Sequence, residues 1–163
     1  METIRELAER AGQALQKKHW LLATAESLSG GGVAMAMTDI SGSSEWYDCG
    51  FVAYSNASKI ELLRVPAAVL AQYGAVSEEV AGEMAKGALI DTDAHVSLAT
   101  TGIAGPTGAV PGKPVGTVCF GWAAGEHVHT ERLVFTGDRQ SVREQTIAHA
   151  LRGLLRFMEK IGC

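Results

Sequence analysis

Hydrophobic residues recur at helical spacing near both ends of the chain. At the amino end, apolar side chains three and four positions apart predict an amphipathic helix over residues 4–18. At the carboxyl end, a longer apolar stripe predicts a final helix that begins after Asp138, whose side chain can cap its first turn. Two long amphipathic helices are therefore expected to frame the chain.

Shorter helices are predicted in the middle of the chain from apolar runs and their capping residues. Asn56 can cap a helix that runs through Leu63. Pro66 suits the first turn of another short helix. Ser77, followed by two glutamates at the positive end of the helix dipole, predicts a helix that runs to about Ile90.

Five segments have the pattern of β-strands. They are short apolar runs or alternations of apolar and polar residues, and turn residues bound them. The last two flank a Gly125-Glu126 turn, which predicts an antiparallel hairpin. The predicted strands cover residues 20–25, 50–54, 95–100, 115–124 and 128–135, and residues 102–114 are predicted to form a loop.

Helices and strands alternate over most of the chain, and a hairpin comes late. This order predicts an α/β fold, with a mixed sheet and helices on both of its faces. A length of 163 residues fits one domain, and the sequence has no internal repeat, linker or low-complexity segment. We therefore expect a single domain over residues 1–163.

Composition narrows the classes of function. The net charge is −4 and the lysines and arginines are scattered, so nucleic-acid binding is not expected. No apolar run approaches the ~20 residues of a membrane helix, and the acidic residues near the amino end are unlike a signal peptide. Cys49, Cys119 and Cys163 are far apart, as reduced thiols often are. We expect a cytoplasmic protein without a membrane partner.

A serine- and glycine-rich segment follows the first predicted strand. Ser27, Ser29, Gly30 and Gly31 lie where this strand should lead into a helix over residues 33–37. Ligands of open α/β sheets bind at the carboxyl ends of strands, and free N–H groups at a helix start favour an anion. The segment could hold a phosphate or the oxyanion of an acyl-transfer intermediate. The alternative is a serine cap with glycines for tight packing.

A lysine after the second strand is the candidate base for such a serine. A serine hydroxyl is a poor nucleophile until a base takes its proton. Lys59 lies in the first turn of a predicted helix, where the dipole disfavours its charged form, and Tyr54 could relay a proton or orient an amide. The alternative for Lys59 is a solvated side chain. His127 and His129 share a strand face but lack a third ligand, so no metal site is expected.

The glycine-rich loop after the third strand should reach the same edge of the sheet. Thr101 offers a hydroxyl there, and Gly102 and Gly105 permit a ligand to approach the main chain closely. Arg139, at the start of the last helix, could hold a phosphate or carboxylate through two hydrogen bonds. The alternatives are a plain surface loop and a surface ion pair.

Seven segments, taken together and in order, resemble the CinA C-terminal domain family. The likeness extends over about residues 4–160, nearly the whole chain. Leu28 and Ser29 depart from the family pattern, in which cysteine and threonine are usual. The matching segments are AESLSGG at 25–31, TDISGSS at 38–44, GFVAYSN at 50–56, YGAVSE at 73–78, TGIAGP at 101–106, KPVGT at 113–117 and GDR at 137–139.

This resemblance implies a three-layer α/β/α domain with a mixed five-stranded sheet. It also implies hydrolysis of the carboxamide of nicotinamide mononucleotide to nicotinate mononucleotide and ammonia, in pyridine nucleotide recycling. No metal or organic cofactor is expected. The protein is expected to form a homo-oligomer. The expected partner is a small nucleotide substrate.

The resemblance also assigns expected roles to individual residues. Ser27 falls on the family's proposed nucleophile and Lys59 on the lysine expected to act as base, with Tyr54 and Thr101 as further catalytic candidates. Two other functions stay open: hydrolysis of a different small amide, and a non-catalytic nucleotide-binding or protein-interaction module of competence or DNA-damage responses. The expected substrate-binding residues are Ser29, Gly30, Gly31, Gly102, Gly105 and Arg139.

Overall fold

The structure, a computed structural model, describes residues 1–162. Helices and strands alternate along most of this range, as the hydrophobic pattern predicts. The elements are α1 (Ile4–Lys18), β1 (Leu22–Glu26), α2 (Gly32–Thr38), a short 3-10 helix (Ser43–Glu45), β2 (Tyr47–Val52), α3 (Asn56–Leu63), α4 (Ala67–Tyr73), α5 (Glu78–Gly87), β3 (Val96–Gly102), β4 (Thr117–Ala124), β5 (His127–Val134) and α6 (Arg139–Ile161).

The five strands form one mixed sheet in the order β2-β1-β3-β4-β5. Strand β1 is parallel to both of its neighbours, β2 and β3. Strand β4 is antiparallel to β3 and to β5, with which it forms the predicted hairpin. The carboxyl ends of β1, β2 and β3 therefore lie at one edge of the sheet.

Helices cover both faces of this sheet, which makes three layers. On one face, α1, α2 and α6 pack over the aromatic rings of β4, with Phe120 and Trp122 fully buried among them. On the other face, α3, α4 and α5 bury smaller side chains against β1 and β3, among them Leu63 and Met84. The predicted α/β class and the mixed five-stranded sheet are confirmed.

Three predicted helix boundaries are wrong. Pro66 is the N-cap of α4 and not part of its first turn, and local hydrogen bonds explain the other two. Helix α3 is capped by Ser55 and not by Asn56, because the Ser55 and Ser58 hydroxyls each accept the other residue's main-chain N–H at 3.1 Å. Helix α5 ends at Gly87 and not near Ile90, since the following residues form tighter turns, with the Ile90 N–H donating to the Gly87 carbonyl. The predicted caps Ser77 and Asp138 are confirmed.

Strand boundaries differ from the prediction in a way that bears on the sheet edge. Strand β2 runs from Tyr47 to Val52, so Ala53 and Tyr54 lie beyond the strand, in the link to α3. Strand β1 extends to Glu26 and β3 to Gly102. Chain-distant main-chain groups are therefore available where the three parallel strands end.

Helix α6 is held to the sheet by a close contact with Trp122. The indole N–H donates to the Ala150 carbonyl at 3.1 Å. A Cβ on Gly153 would lie 2.1 Å from an indole ring carbon, so only glycine fits at this position of the helix. The absence of a side chain there sets the distance between α6 and β4.

We expect Gly153→Ala to lower the free energy of unfolding. Alanine in place of a helical glycine would by itself stabilise the helix by roughly 0.5–1 kcal/mol, whereas overpacking a rigid core costs about 1–3 kcal/mol. Urea unfolding measures the sum of these two effects, and we expect the free energy of unfolding to decrease. Arg152→Ala, at the neighbouring half-exposed position, is the control and should change little; a Gly153→Ala protein as stable as the parent would contradict this packing.

Candidate active site

Loops from three separate parts of the chain meet at the carboxyl edge of the parallel strands. Ser27 follows β1, Tyr54 follows β2, and the 103–116 loop follows β3. The Ser27 N–H donates to the Thr100 carbonyl at 3.0 Å, and the Ala53 N–H donates to the Glu26 carbonyl at 2.9 Å. This is the edge at which α/β sheets bind their ligands.

The serine and lysine singled out from the sequence are in contact. Lys59 Nζ lies 3.2 Å from Ser27 Oγ. The same nitrogen lies 3.1 Å from the Ala53 carbonyl oxygen and 3.2 Å from the Tyr54 carbonyl oxygen. Lys59 comes from the first turn of α3, so the capping interaction of Ser55 with Ser58 fixes the direction from which its side chain enters.

Lys59 is buried without a negative charge beside it. The residue is 1% exposed, and its three hydrogen-bond partners are neutral oxygens. Among residues 1–162 no carboxylate forms an ion pair with it. Burial penalises the ammonium form and holds the pKa of Lys59 below its usual 10.5.

Tyr54 and Arg139 form a second contact between loops. The Tyr54 side chain is 61% exposed, and its hydroxyl accepts from Arg139 Nη2 at 3.3 Å. Arg139 Nη1 donates to the Gly105 carbonyl at 2.8 Å. Arg139 therefore ties the loop after β3 to the link after β2, instead of pairing with a surface acid. The Tyr54 phenol makes no hydrogen bond to Ser27 or Lys59 in the described part of the chain.

The two threonines at the end of β3 point to opposite faces of the sheet. The Thr100 hydroxyl is 2.7 Å from the Ser29 hydroxyl, in a buried contact. The Thr101 hydroxyl donates to the Ala75 carbonyl at 2.8 Å, and among the described residues it makes no hydrogen bond with Ser27 or Lys59. A Cβ on Gly102 would lie 2.8 Å from the Thr117 carbonyl, so that glycine permits close pairing with β4.

Glu26 supports the serine loop, a role that the sequence analysis did not assign. Its carboxylate is buried and accepts the N–H groups of Val33 at 2.9 Å and Ala34 at 3.0 Å. These are donors of the first turn of α2, which attract negative charge. A carboxylate at the end of a buried strand is a signal that could have drawn attention to Glu26.

Arg143 supports the same loop from α6 and was also missed. Its Nε donates to the Leu28 carbonyl at 3.0 Å, and its Nη2 lies 3.4 Å from the Ser29 carbonyl. Arg143 is four residues after Arg139, so the two arginines share one face of the helix. That spacing is visible in the sequence, although the main-chain partners are not.

Several main-chain N–H groups of the serine loop have no partner within residues 1–162. The N–H groups of Ser27, Gly30 and Gly32 donate to carbonyls, whereas those of Leu28, Ser29 and Gly31 do not. Leu28 and Ser29 are nevertheless buried. Main-chain N–H groups without a protein partner, directly after a serine in the chain, are candidate binding groups for an anion.

Residues 1–162 contain no group of three or more His, Cys, Asp or Glu side chains placed to hold a metal ion. His129 instead hydrogen-bonds to Glu131 at 2.9 Å and stacks on Trp122. No helix in this part of the chain is both long enough and apolar enough to cross a membrane.

The family model of the CinA C-terminal domain matches residues 4–158. This chain belongs to the CinA C-terminal domain family. It is 47% identical over 157 residues to the nicotinamide-nucleotide amidohydrolase PncC of Pseudomonas putida, covering 96% of this chain and 98% of that protein. It is 49% identical over 151 residues to the protein of that name from Escherichia coli K12, covering 91% of each.

Solved structures of the CinA superfamily have the same fold. One from Escherichia coli matches with a TM-score of 0.92 and 38% identity, covering 96% of this chain and 91% of the other. The competence/damage inducible protein of Agrobacterium tumefaciens matches with a TM-score of 0.92 and 38% identity, covering 96% of each chain. The family resemblance and the fold expected from it are confirmed, and so is membership of a family of enzymes.

The lowered pKa of Lys59 predicts how stability changes with pH. The unfolded chain regains the ordinary lysine pKa of 10.5, so between the two values it binds more protons than the folded protein. Stability relative to a Lys59→Met variant should be lowest below the folded-state pKa and should rise as the pH approaches 10.5. Urea unfolding of both proteins over a pH series measures this difference. A difference that stays flat with pH would contradict the burial of a titrating amine.

Proposed function

We propose that this chain hydrolyses the carboxamide of nicotinamide mononucleotide to nicotinate mononucleotide and ammonia. In this proposal Ser27 is the nucleophile and Lys59 is the general base. The names of the relatives support the substrate, and the Ser27–Lys59 contact supports the chemistry. Cytoplasmic location, homo-oligomerisation and the lack of a cofactor stay predictions from the sequence.

The proposal rests on the set of atoms around Lys59 Nζ. A neutral amine has two N–H donors and one lone pair. The carbonyl oxygens of Ala53 and Tyr54 can only accept, so they take the two N–H groups. The lone pair is then left for the third neighbour, the Ser27 hydroxyl at 3.2 Å. The neutral lysine favoured by burial therefore accepts the proton that the nucleophile must lose.

The unpaired N–H groups of the serine loop suit the charge that develops during attack. When Ser27 Oγ adds to the carboxamide carbon, the carbonyl oxygen becomes an oxyanion. The N–H groups of Leu28 and Ser29 follow the nucleophile directly in the chain and have no partner in the described structure. A single donor of this kind is typically worth about 3 kcal/mol of transition-state stabilisation.

The proposed reaction proceeds in two halves. In the first, Lys59 takes the Ser27 proton, the serine oxygen bonds to the carboxamide carbon, and the C–N bond breaks as Lys59 gives that proton to the leaving nitrogen. Ammonia and a serine ester result. In the second, Lys59 takes a proton from water, the resulting hydroxide attacks the ester, and the acid is released as Ser27 regains a proton.

The nucleotide part of the substrate needs further groups at the same edge. Arg139 has five N–H donors, and its contacts with Gly105 and Tyr54 use two of its nitrogens. Its remaining donors are our candidates for the phosphate. Gly31 would allow close approach of the ligand, whereas the faces of Gly30 and Gly102 that a side chain would occupy are filled by Arg143 and by β4. Tyr54 and Thr101 would act by shaping and orienting the pocket.

We expect Ser27→Ala to abolish ammonia release while leaving the fold intact. Removal of a serine nucleophile lowers turnover by about 10³-fold or more, because the covalent route is lost. A coupled ammonia assay measures turnover, and circular dichroism with a thermal melt checks folding. Ser41→Ala, in the exposed turn after α2, is the matched control and should keep wild-type turnover. Full activity of Ser27→Ala would remove Ser27 from the mechanism.

Three amides separate the proposed substrate from its rivals. We expect kcat/KM for ammonia release to be highest with nicotinamide mononucleotide, because nicotinamide lacks the ribose phosphate and NAD carries an additional nucleotide. Higher kcat/KM with nicotinamide or NAD would indicate an amidase for a different small amide. Binding of the mononucleotide without ammonia release from any of the three would favour the non-catalytic module.

A further inference from the structure

The peptide unit between Leu28 and Ser29 carries one of the unpaired N–H groups next to the nucleophile. A peptide bond is planar and trans, so the Ser29 N–H points opposite to the Leu28 carbonyl. Whatever holds that carbonyl therefore also sets the direction of the N–H. Arg143 Nε donates to the Leu28 carbonyl at 3.0 Å, from a helix 115 residues further along the chain.

The loop that contains this peptide unit is also held by the buried contact between the Ser29 and Thr100 hydroxyls. Gly30 and Gly31 have φ values of +61° and +94°, in the left-handed region that glycine adopts without the steric cost of a side chain. The Ser29 carbonyl accepts the Gly32 N–H at 2.9 Å and also faces Arg143 Nη2 at 3.4 Å. Arg143 therefore bridges two successive carbonyls of this loop, one of which belongs to the peptide unit between Leu28 and Ser29.

The loop is also shaped to admit the guanidinium. A Cβ on Gly30 would lie 2.9 Å from Arg143 Nη2, so a side chain at this position would force the arginine away. A lysine could not replace this contact fully, because its ammonium is a point charge without the two-pronged geometry of a guanidinium. Arg143 is half-buried, and its guanidinium donates to main-chain carbonyls. Arg139, by contrast, is exposed.

We propose that Arg143 is a positioning residue that aims the Ser29 N–H at the oxyanion formed on attack by Ser27. It acts through the main chain and does not touch the substrate. The inference rests on the proposed function for its acyl-transfer step, but it does not depend on which amide is hydrolysed.

Kinetics of Arg143→Gln and Arg143→Lys test this role. Because misplacement of a catalytic group by about 1 Å can cost on the order of 10²-fold in rate, we expect kcat of Arg143→Gln to fall roughly 10- to 100-fold. KM should stay nearly constant, since the interaction is made in the transition state. Arg143→Lys should retain an intermediate kcat. The loss should be equal for nicotinamide mononucleotide and for its riboside, which lacks the phosphate.

Other outcomes would overturn the inference. Unchanged kcat in both variants would remove Arg143 from positioning. A KM that rises more for the mononucleotide than for the riboside would make Arg143 a phosphate ligand instead. Arg152→Gln is the matched control on the same helix, because its side chain makes no hydrogen bond or ion pair within residues 1–162. If a thermal melt shows that Arg143→Gln does not fold, the kcat of Arg143→Lys tests the inference in its place.

A second measurement separates this inference from the proposed substrate. A fluorophosphonate labels an activated serine, and its phosphoryl oxygen takes the place of the oxyanion. We expect Ser27 of Arg143→Gln to be labelled more slowly by the same factor as the fall in kcat. Slower labelling in a protein whose wild type does not hydrolyse nicotinamide mononucleotide would keep the inference and reject the substrate. Equal labelling rates in wild type and variant would reject the inference.

Discussion

Lys59 lies inside the protein with neutral oxygens as its only hydrogen-bond partners among the described residues, and most of the site follows from that constraint. A carboxylate beside it would hold the proton on the amine and so remove the base. The two carbonyls that accept its N–H groups belong to Ala53 and Tyr54, which are free to do so because β2 ends at Val52. The early end of an edge strand thus contributes directly to the proposed chemistry.

Glu26, the other buried ionisable residue near the site, is hydrogen-bonded to the helix that follows the serine loop. Glu26 directs its two carboxylate oxygens at N–H groups in the first turn of α2. These N–H groups have no acceptor within the helix because they belong to its first turn. They can therefore hydrogen-bond to a carboxylate without a cation nearby. Glu26 and Lys59 therefore have separate environments near the same loop: the carboxylate accepts two main-chain N–H groups, whereas burial disfavours the ammonium form of the lysine.

Sequence patterns predict the elements better than the contacts between them. Periodicity and capping residues indicated the helices and strands, and residue types at strand ends indicated Ser27 and Lys59. The strand-end position of Glu26 and the spacing of Arg143 from Arg139 are visible in the sequence, but the main-chain atoms to which these side chains bond are not, which is why both roles were missed. Strand alternation could have distinguished Thr100 from Thr101, because neighbours on a strand face opposite sides, and it is Thr100 that contacts Ser29.

The two helical layers contribute different functional groups to the site around Ser27. The layer with α3 supplies the amine, whereas the layer with α6 supplies the guanidinium that holds the Leu28 carbonyl. The base and the main-chain donors therefore approach the sheet edge from opposite faces, and each depends on its own core. Since the Trp122–Gly153 contact sets how closely α6 packs, a shift of that helix would move Arg143 and the donor it orients, whereas Lys59 is carried by α3 on the other face. Loss of oxyanion stabilisation and loss of the base are thus separable failures of one site.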